Sequence, residues 1–139
     1  MKLKDILIYG EEINKKPQIG KPFTLEFTIE NPEHLDFSQI RYDVRIDDEL
    51  GNKILWLSTI LQKATPQIQG NKIIFKIDKL LLNEGVYYID SWISIKAQLS
   101  DWIENVTSFE VLANDFYKTG KSVPTKLSKI ITEFRIDYE

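Results

Sequence analysis

The chain has 139 residues, which fits one domain and is long enough to bury a sizeable core. The sequence contains no cysteine, which excludes disulfide bonds, thiolate nucleophiles and cysteine-based metal sites. The formal net charge is −3 and the basic residues are scattered, which argues against nucleic acid or an anionic membrane surface as the main partner.

The composition favours β-strands, since twenty isoleucines stand against three alanines and aromatic residues make up 12%. Residues 22–30 alternate apolar and polar side chains without a break, as a half-buried strand does. Gly51 and Asn52 predict a hairpin turn at residues 48–52. In chain order, strands are predicted at residues 2–9, 22–30, 39–47, 53–60 and 72–78, with two more within residues 85–111.

Short strands separated by turn signals predict an all-β fold, an immunoglobulin-like antiparallel β-sandwich of about seven to eight strands. We assign residues 1–124 to this sandwich and residues 125–139 to a C-terminal tail. The tail offers an extra or exchanged strand at residues 130–137, with a brief helix around residues 126–132 as the alternative. The predicted inter-sheet core consists of Phe23, Phe27, Ile40, Val44, Phe75, Tyr87, Ile89, Ile93, Phe109 and Val111.

An unpaired, apolar-rich tail strand would be an aggregation-prone edge. Exchange of such a strand between two protomers is a low-cost way to cover it. The sequence therefore predicts a homodimer in which a terminal strand pairs with the sheet of the partner.

The first strand within residues 85–111 carries aromatic and polar residues on the face that does not enter the core. In an immunoglobulin-type order, the third, fourth, sixth and seventh strands share one sheet, so their outward side chains collect on one face. The fourth strand adds Trp56 to this face only if its alternation places that side chain outward. The predicted binding residues are Arg41, Asp43, Arg45, Trp56, Tyr88, Asp90 and Trp92.

This face is predicted to bind carbohydrate, because aromatic rings offer flat apolar surfaces and charged groups hydrogen-bond hydroxyls. Trp92 and Tyr88 are expected to stack on sugar rings. Asp43 and Asp90 are expected to accept hydrogen bonds from sugar hydroxyls. Arg41 and Arg45 are expected to orient those carboxylates or to contact acidic sugars. The alternative is that cross-strand pairs of these residues only stabilise the sheet.

Other motifs in the sequence are weak. Gly120-Lys121-Ser122 lacks the first glycine and the leading strand of a phosphate-binding loop. His34, the single histidine, is interpreted as a solvated loop residue. Asp47-Asp48-Glu49 lacks the full ligand spacing of a calcium loop and is interpreted as a hairpin turn whose acids favour solubility. Asn105-Val106-Thr107 is a formal glycosylation acceptor that we expect to be inert.

Enzyme activity is not expected, and neither a cofactor nor a metal ion is predicted. Glycosidases use paired carboxylates whose pKa values are pushed apart by their surroundings. No acid in the sequence lies in a context that obviously does this; the acids considered are Asp43, Asp90, Asp101 and Glu104.

Five segments of the chain carry motifs whose order and spacing are shared with one known family. The segments are IGKPF at residues 19–23, DELGNKILWLST at 48–59, LLLNEGVY at 80–87, DWIENVTSFEV at 101–111 and GKSV at 120–123. Together they resemble the C-terminal polysaccharide-binding domain of the nucleotide-binding subunit (Wzt) of O-antigen ABC transporters. Ser58 stands where the family usually has asparagine. The resemblance covers residues 3–124.

The resemblance implies an immunoglobulin-like sandwich that recognises the exported glycan, often as a dimer that exchanges terminal strands. The chain is then a non-catalytic carbohydrate-binding module for an O-antigen-type polysaccharide, with the ATPase and membrane subunits of the transporter as partners. The ATPase domain is absent from this sequence, so the chain is expected to be an excised domain or a stand-alone protein. The alternative functions are a dimerisation or protein-docking module and a small glycan-active enzyme or enzyme accessory.

The expected location is the cytoplasm, peripheral to the inner face of the bacterial membrane. The N-terminal segment turns acidic after a short apolar run, unlike a secretory signal. No segment approaches the roughly 20 apolar residues of a transmembrane helix.

Overall fold

A computed structural model describes residues 1–31, 35, 37–63, 71–96 and 98–139 of the chain. Short 3₁₀ helices lie at Phe37–Gln39 and Thr59–Leu61. In the part of the chain that is described, no helix is long and apolar enough to cross a membrane. The strands are β1 (Lys2–Tyr9), β2 (Phe23–Glu30), β3 (Ile40–Asp47), β4 (Lys53–Ser58), β5 (Lys72–Ile77), β6 (Gly85–Ile95) and β7 (Gln98–Val111).

The strands form two antiparallel sheets that pack face to face. One sheet has the order β1-β2-β5, and the other has the order β4-β3-β6-β7. The second sheet unites the third, fourth, sixth and seventh strands, as the sequence predicts. The predicted fold class, an immunoglobulin-like β-sandwich, is therefore confirmed.

The core lies between the two sheets and is built from the alternating apolar positions. Nine of the ten predicted core side chains are buried, and Phe75 is half-buried with its ring edge-on to Phe27, at 5.7 Å between centroids. Tyr42 places its hydroxyl among these residues and shares a 2.8 Å hydrogen bond with Ser91. Burial raises the pKa of Tyr42 well above its ordinary value, so the phenol stays neutral.

The β3–β4 turn is held by one carboxylate. Asp48 accepts hydrogen bonds from the backbone N–H groups of Leu50 (2.9 Å) and Asn52 (2.8 Å), and from the Asn52 amide. The Asn52 amide is the main cause of a lowered pKa of Asp48. Gly51 has a φ of 81°, a conformation that glycine adopts without strain. The turn thereby fixes the register of β4 against β3.

The hairpin of β6 and β7 contains a bulge. Ile89 pairs with Thr107 whereas Ser91 pairs with Ile103, so two steps along β6 correspond to four along β7. An even number of extra residues preserves which face each later side chain of β7 occupies. Trp102 consequently lies opposite Trp92, on the outer face of the sheet.

The C-terminal tail docks on the β5–β6 connection without forming a strand. Ile131 is buried and its N–H donates to Leu81, while the Asn83 amide donates to the carbonyls of Val123 and Ser128. An eighth strand at residues 130–137 is therefore wrong for the single chain, since its one β-bridge, at Ile130, is isolated. A helix at 126–132 is also wrong, since residues 125–127 form only a turn. The last residues, 134–139, are exposed.

Candidate functional site

All three tryptophans of the chain lie on the outer face of the β4-β3-β6-β7 sheet. Cross-strand partners in an antiparallel pair share a face. On the β4 side of β3, Arg45 pairs with Trp56, so Trp56 points outward. On the β6 side of β3, Asp43 pairs with Trp92. Trp92 in turn pairs with Trp102. We call Trp56, Arg45, Trp92 and Trp102 the aromatic stripe.

An open groove of about 610 Å³ runs along this face over β3, β4 and β6. Five of the seven predicted binding residues line it, together with residues of β4 and β6 that were not predicted. The predicted residues in the groove are Arg41, Asp43, Arg45, Trp56 and Trp92. The additional lining residues are Lys53, Ile54, Leu55 and Ser94.

Arg45 is held at the centre of the face by two carboxylates. Its Nε donates to Asp47 Oδ1 at 2.9 Å, and its Nη2 donates to Asp90 and, at 3.3 Å, to Asp47 Oδ2. Burial lowers the pKa of Arg45, but the hydrogen bonds and charges of these aspartates outweigh burial and raise it. The guanidinium lies over the Trp92 ring, 5.3 Å from its centroid, within cation–π range.

Asp43, which also lines the groove, is held by hydrogen bonds from two side chains. Arg41 Nε donates to both of its oxygens, at 3.1 and 3.0 Å, and the Ser58 hydroxyl donates to Oδ1. Ser58 is buried, and its hydroxyl also accepts from the N–H of Ile60 at 3.2 Å. Asp43 therefore ties β3 to the end of β4 and orients Arg41 toward the groove.

The aromatic stripe combines packed and exposed rings. Trp92 and Trp102 stack with their centroids 6.0 Å apart and their planes 21° from parallel. Trp102 is 52% exposed and Trp56 is 45% exposed, so the two ends of the stripe present more indole surface than its centre. Neighbouring strands lie about 4.8 Å apart, so a stripe that crosses four strands extends about 14 Å.

Two predicted binding residues take other positions. Asp90 is 2% exposed beneath Arg45, so its predicted role as an acceptor for sugar hydroxyls is corrected: it positions the arginine. Tyr88 lies on the same outer face but outside the groove, since it pairs with Asp47 toward the opposite end of the strands. It lines a separate depression of about 640 Å³ that also contains Glu49 and Glu110.

Trp102 is the functional candidate that the sequence prediction missed. Alternation backward from Ser108 and Glu110 places it outward, so its orientation was available in the sequence. Its position opposite Trp92 depends on the bulge in β7, which the residue pattern does not reveal.

The acids considered for catalysis or for calcium binding have structural partners wherever the structure describes their side chains. Asp101 accepts a 2.9 Å hydrogen bond from the N–H of Leu3 at the start of β1. Glu49 pairs with Lys129 at 3.0 Å, and the other two acids of its motif hold Arg45 and the β3–β4 turn. Among the described residues there is no cluster of three or more metal-ligating acids or histidines. His34 and the side chains of Glu104 and Asn105 lie outside the described part of the chain.

The sequence Gly120-Lys121-Ser122 belongs to an exposed turn. The Asp115 carboxylate accepts hydrogen bonds from the N–H groups of Thr119 and Gly120, each at 3.2 Å. Neither a strand leading into the turn nor a helix following it is present among the described residues 112–139. The motif therefore lacks the context of a phosphate-binding loop.

Comparison with known proteins gives a family and a fold. The family model described as the Wzt C-terminal domain matches residues 2–123. Similar solved structures include a crystal structure of the C-terminal domain of wzt, with a TM-score of 0.57 and 17% identity over 88% of this chain and 82% of that chain. That likeness supports the sandwich fold. No match to a curated protein is found.

Proposed function

Because the chain belongs to the Wzt C-terminal domain family, we propose that it is a carbohydrate-binding module recognising an O-antigen-type polysaccharide for export by an ABC transporter. The module acts by binding and not by catalysis. It works at the cytoplasmic face of the bacterial membrane, beside the ATPase and membrane subunits of the transporter.

The aromatic stripe is the observation that carries this proposal. Soluble sheets keep an outer face hydrated with small or charged side chains, and a patch of large exposed rings on such a face usually has a binding role. Here Trp56 and Trp102 stand at the two ends of a row whose centre is Trp92 under Arg45. Rings supply apolar contact and the guanidinium supplies directed N–H donors, which together suit the C–H faces and hydroxyls of a sugar chain.

Intrinsic fluorescence tests the proposal directly, because every tryptophan of the chain lies in the stripe. Titration with polysaccharide from the source organism is expected to give a saturable change in tryptophan emission. A weak site with a Kd of about 1 mM corresponds to about −4 kcal/mol, so the titration must extend to millimolar sugar repeats. The absence of a saturable change over that range would contradict the proposal. A protein unfolded in urea, titrated in parallel, controls for absorption by the polysaccharide.

Docking to a second copy of the chain is the second part of the proposal, and the tail favours it. Residues 134–139 alternate exposed Phe134, Ile136 and Tyr138 with charged residues. This is the pattern of a strand with one apolar face, in a segment that forms no strand within its own chain. Exchange of the segment between two protomers would bury that face.

Deleting residues 134–139 is expected to convert a homodimer into a monomer. The cut leaves Ile131 buried and the Asn83 anchors in place, so the sandwich should keep its fold. Sedimentation at micromolar concentration is the measurement. Replacing both Arg135 and Asp137, which pair at 2.9 Å, with serine retains the apolar set and should leave the dimer intact. A full-length monomer, or a dimer unaffected by the deletion, would rule out this mode of assembly.

A further inference from the structure

The charges around the groove balance. Its cationic side chains are Arg41, Arg45 and Lys53, and the carboxylates bonded to the two arginines are Asp43, Asp47 and Asp90. Three positive groups therefore face three negative groups. We propose that the ligand is a neutral polysaccharide, and that this arrangement discriminates against chains bearing carboxylate, sulfate or phosphate groups. The inference rests on the proposed function and adds the class of glycan.

The edge of Arg45 that would grip an anion is already occupied. Carboxylates and phosphates are bound best through two parallel N–H donors of a guanidinium. In this protein the Nε and Nη2 donors of Arg45 face the two oxygens of Asp47, at 2.9 and 3.3 Å, and Nη2 also donates to Asp90. An incoming anion would have to displace buried carboxylates and leave them uncompensated, which is strongly unfavourable.

The other end of the groove also gives anions little net attraction. Arg41 Nε is directed at both oxygens of Asp43, so the nearest carboxylate is part of the groove wall itself. A negatively charged sugar that approached Arg41 would also be repelled by the Asp43 carboxylate bonded to the same guanidinium, which reduces the net attraction. Lys53 stays exposed at the margin, where solvent and salt screen its charge.

What remains for the ligand is apolar surface and neutral hydrogen bonding. Trp56 and Trp102 expose about half of their surface. The guanidinium edges not directed at aspartates offer N–H donors, and a donor of this kind pairs with a hydroxyl oxygen without needing charge compensation. Both properties fit neutral sugar rings, whose C–H faces are apolar and whose rims carry hydroxyls.

The test separates polysaccharide of the source organism by anion exchange into an unretained neutral fraction and a retained acidic fraction. Each fraction is titrated against the full chain by tryptophan fluorescence. We expect the neutral fraction to bind at least about tenfold more tightly, a difference of about 1.4 kcal/mol. We also expect its Kd to change by less than about twofold between low and high salt, since screening acts on charged partners.

The outcomes distinguish this inference from the proposed function. Equal or tighter binding of the acidic fraction, or strong weakening of neutral binding by salt, overturns the neutral-glycan inference and leaves carbohydrate binding standing. Binding of neither fraction overturns both. A second arm uses Asp47→Asn, which keeps the shape of the side chain and removes its charge and one of the two acceptors opposite the Nε/Nη2 edge. In protein that melts as the wild type does, it should raise affinity for the acidic fraction several-fold; an unchanged affinity contradicts the blocking role of Asp47.

Discussion

Replacing Phe27 with alanine is expected to lower the free energy of unfolding by about 3–5 kcal/mol, the usual range for a buried phenylalanine. Phe27 is 0% exposed and lies between the sheets. Its ring centroid is 4.9 Å from that of Tyr42 on the opposite sheet and 5.7 Å from that of Phe75 on the adjacent strand. The cavity left by alanine cannot close without moving both sheets, so the loss should approach the upper end of that range.

Urea denaturation measures this change through the midpoint and slope of unfolding. A domain of this kind has a total stability of about 5–15 kcal/mol, so the variant should be marginal at 37 °C. Lys76→Ala on β5 is the matched control, because Lys76 is exposed on the outer face and its loss should change stability by no more than about 0.5 kcal/mol. A loss below about 1 kcal/mol for Phe27→Ala would contradict the packing described above.

Replacing Trp92 with alanine is expected to weaken binding of the native polysaccharide at least about tenfold, which corresponds to about 1.4 kcal/mol. Trp92 joins the two halves of the stripe, since Arg45 lies over its ring and Trp102 stacks beside it. Its removal takes away the central ring and leaves Arg45 without the aromatic surface beneath it. The effect should therefore exceed that of losing a single exposed contact.

Binding of the Trp92→Ala variant is read from the emission of the two remaining tryptophans and checked by calorimetry. Lys121→Ala, a substitution in the exposed turn at residues 120–122, serves as the control and should bind as the wild type does. Both variants need an unchanged thermal midpoint before their affinities are compared. If Trp92→Ala folds normally and binds as well as the wild type, the groove on this face is not the binding site.

The fold could be predicted because burial of one sheet face imposes a period of two on the sequence. Residues 22–30 and 39–47 follow that period without interruption, and they form β2 and β3 almost at the predicted bounds. The tail could not be assigned in this way. Residues 130–137 have a strand-like pattern, but the backbone N–H of Ile131 is bound by the β5–β6 connection and the segment has no neighbouring strand in its own chain.

The candidate site could be predicted in part, for reasons that particular residues make clear. Arg41, Asp43, Arg45 and Trp92 lie on regular strands, so alternation places them. Trp56 could not be placed from the sequence, because the half-buried edge strand β4 has apolar residues on both sides of it and its phase depends on the turn at Asp48.

Other features of the site depend on geometry that no residue pattern contains. If the pairing of Ile89 with Thr107 continued without a bulge, residue 104 would lie opposite Trp92. The bulge places Trp102 there instead. The burial of Asp90 follows from the conformation of the Arg45 side chain, which folds over it. Strand alternation specifies a face, but it specifies neither a bulge nor the direction in which a long side chain bends.

The clamp of Asp47 and Asp90 on Arg45 also has a consequence for entropy. A free arginine side chain carries about 2 kcal/mol of rotamer entropy. Ordering such a side chain on association costs about 0.5–1.5 kcal/mol. Two carboxylates and the Trp92 ring fix Arg45 before any ligand arrives, so this loss occurs when the domain folds and not when it binds. A ligand that binds this face therefore does so without the protein having to reorder its central side chain.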